Sequence, residues 1–303
     1  MSLSGSDGSK CGPTPSTACK SIERAVRVAE SSKEHSHKIT IDGGNAGGNM
    51  YVLQSNVSLT KSYHFTSSNA SIPIISGQSS KVVRAFIMKN NILDFSVERV
   101  NFKIGAVENE KTSGGSEKLG SISLKNCKFD TNSEVVYLKG SIKAVGIQDC
   151  VINITNGDLY AIELASDVDE VVLNRSTIWG NFLQATVTKI NISLKMFHFK
   201  IFKASKYAVY CGPHCSDVMI KNGTFESCSG GTAIHIQKVR IGEDFKDCSN
   251  LSMDDVSFLK STFSVIAQLW CVNFNMRNIK ISGNQVTGYL SDAFVIKKKR
   301  WEH

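Results

Sequence analysis

Hydrophobic and polar residues alternate in a pattern that recurs along most of the chain. Eight anchor positions hold Phe or Ile, namely Phe102, Phe129, Ile152, Ile178, Phe199, Phe225, Phe258 and Ile281. The residues seven and five positions before every anchor are also apolar, whereas the residue four before it is polar. At 41% hydrophobic residues overall, chance would fill fewer than half of these apolar columns. The period of two predicts half-buried β-strands.

The position three residues before each anchor predicts a sharp corner between two strands. Asn or Asp occupies most of these positions, as Asn126, Asp149, Asn222, Asp255 and Asn278, while Arg99, Arg175 and Met196 hold the others. Asn and Asp tolerate left-handed backbone and bond to nearby amides, which favours a tight turn. Another apolar segment, such as residues 135–138, follows most anchors and supplies a third strand.

Strands that return in the same direction at each repeat pair in parallel, and such crossovers are right-handed. The anchors recur at unequal intervals, which indicates three-stranded coils joined by loops of different length. The pattern therefore predicts an all-β chain, a right-handed single-stranded parallel β-helix with an N-terminal capping helix. We expect one body, because repeats stack on each other. It comprises a loop and capping helix at 1–37, about ten coils at 38–296 and a basic tail at 297–303.

The N-terminal cap is predicted from helix signals that precede the first coil. Ser21 suits an N-cap, and the apolar residues Ile22, Ala25, Val26 and Ala29 follow at helical spacing. An amphipathic helix would cover the open end of the solenoid. Cys11 and Cys19 bracket the preceding loop, and we expect a disulfide between them.

The cysteines and the N-glycosylation sequons indicate an oxidising compartment. The chain has nine cysteines and Asn-X-Ser/Thr sequons at Asn56, Asn69, Asn153, Asn174, Asn191, Asn222 and Asn250. These features predict a secreted or cell-surface glycoprotein. No signal peptide and no apolar run long enough to span a membrane is visible, so we expect a signal that was removed.

The remaining candidate disulfides involve Cys211, Cys215, Cys248 and Cys271. Cys211 and Cys215 flank Gly-Pro-His, a spacing that suits a loop crosslink better than a zinc site. Cys215, Cys248 and Cys271 each lie ten residues before an anchor, so they fall at equivalent positions of adjacent coils. Stacked disulfides and parallel unbonded thiols both remain open.

The net charge of +8 suggests acidic partners. The polar column places Lys195 beside Lys221 on adjacent coils, with Arg277 two coils further on. Such a stripe could bind an anionic glycan, although a solvated face is the favoured interpretation because Asp254 interrupts it. Nucleic-acid binding is not predicted, because aromatic residues for base stacking are not interleaved with the basic ones.

Two groups of acidic residues are candidates for chemistry. Asp254 and Asp255 form an adjacent pair that could supply an acid and a base, yet the pattern places one in the outward column and the other at a corner. Asp167, Asp169 and Glu170 could hold Ca²⁺ in a lyase, but a solvated loop is favoured because no regular ligand spacing appears. We therefore predict no catalytic residue, no metal and no cofactor, with calcium only under the lyase alternative.

The opening of the chain resembles the pectate-lyase-like superfamily of right-handed parallel β-helices. The resemblance is carried by Gly5-Ser6-Asp7-Gly8, Cys11, Pro15, Cys19-Lys20-Ser21-Ile22, Ala25, Ala29 and Ile39-Thr40-Ile41-Asp42-Gly43-Gly44. Gly230-Gly231-Thr232-Ala233-Ile234 and the Phe-rich coils are also similar to passenger domains of chlamydial polymorphic outer-membrane proteins. Asp254-Asp255 resembles the paired aspartates of polygalacturonases, whose other active-site elements do not occur here.

The superfamily resemblance implies either polysaccharide lyases, hydrolases and esterases or adhesins without chemistry, and fold alone does not choose between them. We expect a non-catalytic extracellular or surface β-helix that binds a glycan or a cell-surface protein, in the manner of an adhesin. The alternative is a carbohydrate-active enzyme, either a lyase or a glycoside hydrolase.

Overall fold

The structure, a computed structural model, describes most of the chain. It describes residues 1–2, 4–8, 11–12, 17–44, 48–68, 71–89, 93–110, 120–186, 192–212, 215–236, 239–241, 244–246, 248–263, 265–269, 271–286 and 294–296. The basic tail predicted at 297–303 lies outside these residues. No helix in the described ranges has the length and apolar character needed to cross a membrane.

Three columns of parallel strands build the body of the protein. The first strands of the coils are β1 (Ser36–Ile41), β4 (Ser62–Ser67), β7 (Phe95–Glu98), β10 (Ser121–Lys125), β13 (Ile142–Gln148), β16 (Val168–Asn174), β19 (Ile192–Phe197) and β29 (Cys271–Arg277). The second strands are β2 (Met50–Leu53), β5 (Ile74–Gly77), β8 (Asn101–Phe102), β11 (Lys128–Thr131), β14 (Val151–Ile154), β17 (Thr177–Trp179), β20 (Lys200–Phe202) and β30 (Lys280–Ser282). β22 (Cys215–Glu226) and β26 (Cys248–Leu259) run through both columns.

The third strands form a separate sheet. These are β3 (Val57–Leu59), β6 (Arg84–Met88), β9 (Gly105–Asn109), β12 (Val136–Leu138), β15 (Tyr160–Leu164), β18 (Asn181–Ala185), β21 (Val209–Cys211), β23 (Thr232–Ile236), β28 (Val265–Leu269) and β32 (Phe294–Ile296). Two short pairs lie beside the columns, β24 (Val239–Ile241) with β25 (Asp244–Lys246) and β27 (Thr262–Phe263) with β31 (Gln285–Val286). Within the described residues the first two columns make an 18-stranded sheet and the third a 10-stranded sheet.

Each strand pairs in parallel with the equivalent strand of the next coil, which confirms the predicted parallel β-helix. Phe102 lies opposite Phe129, which lies opposite Ile152, so the anchors stack in register. These three residues are at most 1% exposed, whereas Ile281, the predicted anchor of the last coil, is 45% exposed. Burying these apolar columns supplies the main favourable free energy of such a fold, at roughly 25 cal/mol per Å².

The predicted corners adopt left-handed backbone. Positive φ values between 46° and 58° occur at Arg99, Asn126, Asp149, Arg175, Asn222, Asp255 and Asn278. Arg is not a usual residue in this conformation. At Arg175 the side chain is fixed by a two-point ion pair with Asp149 of the preceding coil, with N···O distances of 2.6 and 2.7 Å.

One predicted register is wrong by two residues. Ile178 pairs with Ile201, and Ile201 pairs with Phe225, so the anchor of this coil is Ile201 and not Phe199. Its corner is His198, with φ of 51°, and not Met196, which is buried. Phe199 occupies an inward position normally held by a smaller side chain. A Cβ on Gly223 of the next coil would lie 2.2 Å from the Phe199 ring, so glycine makes the room.

The N-terminal helix caps the first coil as predicted. Helix α1 (Ile22–Glu30) starts after Ser21, whose side chain accepts a hydrogen bond from the Arg24 amide. Ile22 and Val26 are buried, and the helix contacts β2 and β3. Burial alone would raise the pKa of Glu30, but hydrogen bonds from Thr60 and Tyr63 outweigh it and hold that pKa below its ordinary value.

Two disulfides hold four of the nine cysteines. Cys11 bonds to Cys19, and Cys211 bonds to Cys215. The other five cysteines lie outside these disulfides and are all buried, namely Cys127, Cys150, Cys228, Cys248 and Cys271. Cys248 lies opposite Cys271 in register, and no disulfide joins these two residues.

Thiol titration checks this assignment. We expect the native protein to react slowly with Ellman's reagent, because burial hides these thiols and raises the pKa of Cys228 to about 11. Unfolding in guanidinium without reductant should release five thiols. Rapid reaction of the native protein would contradict the buried positions, and a count above five would show that at least one of the two disulfides is not formed.

Candidate functional site

A groove crosses the outer face of the first strands in the last four coils. It has a volume of about 560 Å³. Its lining consists of Ser193, Lys195, Asp217, Val218, Met219, Asn250, Leu251, Ser252, Asn273, Phe274 and Asn275. We call this surface the first-sheet groove. Successive side chains of β19, β22, β26 and β29 point alternately into the core and outward. The outward side chains of these strands form the surface of the groove.

One carboxylate and several side-chain amides form a hydrogen-bonded row along this groove, which we call the amide ladder. Asp217 lies opposite Asn250, and Asn250 lies opposite Asn273. The Asn250 Nδ2 atom donates to Asp217 Oδ1 at 2.7 Å, and Asn273 Nδ2 donates to Asn250 Oδ1 at 3.3 Å. Ser252 and Asn275 stand opposite each other in the next outward row. The ladder fixes the amides while leaving polar atoms at an exposed surface.

The basic residues predicted to bind lie on this face, but they do not stack as predicted. Lys195 lies opposite Met219 rather than Lys221, because of the two-residue register difference. Lys195 Nζ pairs with Glu170 at 2.5 Å. Lys221 lies opposite Asp254, which lies opposite Arg277. Alternating signs replace the predicted basic stripe, so the face does not require an anionic ligand to relieve repulsion.

The acidic candidates are placed by the fold in structural positions. Asp255 has φ of 52° at a corner, and Asp254 accepts a hydrogen bond from Asn278 at 3.3 Å. Glu170 forms an ion pair with Lys195. Among the described residues, no group of three or more His, Cys, Asp or Glu side chains could hold a metal ion.

Polar and aromatic residues form a second row, on the outer face of the third strands. Register places Glu108, Tyr137, Glu163, Gln184, Tyr210 and His235 opposite one another in succession. We call this row the third-strand column. The sequence analysis did not identify this column. Each third strand exposes a single side chain between buried ones, so only alignment of the coils reveals the column.

A buried ion network occupies the first half of this column. Arg84 donates to Glu108 at 2.9 Å and to Glu134, and its side chain is only 10% exposed. The Arg84 guanidinium lies 4.6 Å from the centroid of the Tyr137 ring. Lys139 Nζ pairs with Glu108 at 2.5 Å and lies 5.1 Å from the same ring centroid. Both cations are therefore held by carboxylates and one aromatic face.

Glu163 lies next to this network and is perturbed by it. Burial, and secondly the Glu134 charge, raise the pKa of Glu163, while Arg84 opposes them. The two carboxyl groups therefore influence each other's ionisation.

Comparisons with known proteins give no family assignment. No family profile matches the chain, and no curated protein matches it. One similar solved structure is the catalytic domain of a GH87 alpha-1,3-glucanase in complex with tetrasaccharides. It is 9% identical, with a TM-score of 0.28, over 92% of this chain and 66% of that one. This likeness carries no argument about function. The strand pairing alone identifies the protein as a parallel β-helix, the fold found in the pectate-lyase-like superfamily.

Proposed function

We propose that the protein is a non-catalytic extracellular or surface β-helix that binds a glycan in the first-sheet groove. The amide ladder of Asp217, Asn250 and Asn273 is the observation that supports the proposal most directly. Sugars present many hydroxyl groups, and fixed amides and hydroxyls can donate to and accept from them without reorganisation. Met219, an outward lining residue opposite Lys195 and Ser252, adds an apolar surface for a sugar ring.

The charges of the groove favour a neutral glycan over a strongly anionic one. Lys195 is neutralised by Glu170, and Asp217 is the only acidic residue in the described lining. The Cys11–Cys19 disulfide and the sequons support a secreted or cell-surface location, where such ligands occur.

Binding measurements with groove variants test this proposal. Asn250 begins an Asn-Leu-Ser sequon, so the protein should be produced without N-glycosylation. A panel of neutral and acidic oligosaccharides identifies a ligand, and calorimetry then compares variants. We expect the double substitution Asn273→Leu with Asn275→Leu to weaken binding about thirtyfold, since each of the two lost hydrogen bonds contributes roughly 1 kcal/mol.

Asn174→Leu serves as the matched control, because Asn174 lies on the same sheet face but does not line the groove. It should bind like the unaltered protein. Equal affinity of the groove variant and this control would contradict the assigned site. Hydrolysis or elimination products above background would overturn the non-catalytic proposal in favour of the enzyme alternative.

A further inference from the structure

Both halves of the third-strand column contain a carboxylate and aromatic rings, but the two halves differ in the cations that contact them. In the first half, Glu108 and the Tyr137 ring contact the cations of Arg84 and Lys139. In the second half, Glu163 is again followed by aromatic rings, with Gln184 between them. Adjacent residues of the column are separated by one strand spacing, about 4.8 Å.

The second half carries a carboxylate that is not neutralised locally. The two cations of the network, Arg84 and Lys139, face three carboxylates, those of Glu108, Glu134 and Glu163. Glu163 forms no ion pair with any residue that the structure describes, and the charge of Glu134, another acid, helps to raise its pKa. A cation beside Glu163 would therefore complete the pattern that the first half shows.

Aromatic rings form a platform two coils beyond this carboxylate. The Tyr210 and His235 rings are stacked, with centroids 5.3 Å apart and planes 2° apart. Tyr207 lies 5.4 Å from Tyr210 and 5.1 Å from His235. Aromatic faces attract cations and also pack against flat apolar surfaces. All three residues are partly exposed, so a ligand can reach the platform.

We propose that this second half of the third-strand column binds an amino sugar, with the ligand ammonium group beside Glu163 and the sugar ring against the Tyr207, Tyr210 and His235 platform. The Gln184 amide lies between the two and can hydrogen-bond to a ring hydroxyl. The site lies on a different sheet from the first-sheet groove and takes a cationic rather than a neutral ligand. It therefore goes beyond the proposed function and does not depend on it.

An amino sugar matches these features better than a lysine side chain does. A lysine ammonium sits on a flexible aliphatic stem, whereas an amino sugar carries its cation directly on a rigid ring. The site offers a carboxylate and a ring platform about two strand spacings, or roughly 10 Å, apart. Rigid ligands lose less conformational freedom on binding, which favours the ring.

Calorimetry with two matched oligosaccharides tests the assignment on the unaltered protein. The probes are a glucosamine hexamer and the N-acetylglucosamine hexamer, which has the same rings without the positive charge. We expect the charged hexamer to bind at least about tenfold more tightly, the effect of one charge-assisted contact. Binding should weaken as salt rises, and it should strengthen as pH rises through the pKa of Glu163.

Two variants then localise the binding. Glu163→Gln keeps the shape of the side chain but removes its charge, and should abolish the preference for the charged hexamer. Tyr210→Leu should weaken both hexamers by removing part of the platform. Glu98→Gln is the control, because Glu98 is an outward carboxylate of the first sheet, remote from the column in register. Circular dichroism melting confirms that each variant is folded.

Equal affinity for the two hexamers, or a charge preference that survives in folded Glu163→Gln protein, would overturn the proposal. Binding of lysine-rich peptides without binding of the glucosamine hexamer would also overturn it, and would indicate a protein partner at this face. Loss of neutral-glycan binding in the groove variants would leave this result unchanged, so the two proposals fail separately.

Discussion

Ile147→Asp is expected to abolish cooperative folding of the protein. Ile147 is 1% exposed and lies between Leu124 and Leu173 of the neighbouring coils. A carboxylate there would be buried without a partner, and such a charge costs more than about 5 kcal/mol unless the site opens to water. Because coils support only their neighbours, opening this site separates the rod into two parts. Far-UV circular dichroism should show no cooperative melting transition.

Ser123→Asp is the control for this substitution. Ser123 lies on the adjacent strand with its side chain exposed, so the new carboxylate stays in water. Its melting temperature should remain within about 1 °C of the unaltered protein, as expected for surface changes. Unchanged melting of Ile147→Asp would mean that the inward columns are wrongly assigned.

Arg84→Leu should produce the second largest loss of stability. Arg84 is 8% exposed and pairs with Glu108 and Glu134, whose side chains are each 12% exposed. Removing the cation leaves two nearly buried carboxylates without their main partner, and such changes lower the free energy of unfolding by roughly 3 kcal/mol. Lys139 still pairs with Glu108, so Glu134 should account for most of the effect. Thermal and urea unfolding measure the loss.

Two further variants separate charge burial from simple loss of packing. Lys89→Leu breaks an exposed ion pair with Glu110, where the two side chains are 38% and 42% accessible, and should cost less than about 1 kcal/mol. Adding Glu134→Leu to Arg84→Leu removes the stranded charge and should restore part of the stability. If the double variant is no more stable than Arg84→Leu, packing rather than charge accounts for the loss.

Most of the core could be predicted from sequence because period two and the coil repeat reinforce each other. The exception, the coil around Ile201, shows the limit. Ile192, Leu194, Met196 and Ile201 are all buried, so a slip of two residues keeps apolar side chains inward. The spacing of the anchors could have identified the correct residue, because Ile201 is more evenly spaced between Ile178 and Phe225 than Phe199 is.

The candidate sites were harder to predict than the core. Lys195 was assigned to the correct face, but its partner Glu170 depends on which residue of one coil lies beside which of the next. The network of Arg84, Glu108 and Glu134 joins residues from three coils, up to 50 positions apart. No local sequence pattern predicts that these side chains lie close together, because their contacts appear only when the coils are aligned with one another.

The in-register pairing of β13 with β16 has a consequence for how the solenoid could change length. Val145 of one coil lies opposite Val171 of the next, and both residues are buried. Excising residues 145–170 would therefore delete one complete coil, and the remaining strand residues would keep their inward or outward direction. Deleting part of a coil would shift the register and place inward side chains in solvent. The length of this fold therefore changes only by whole coils.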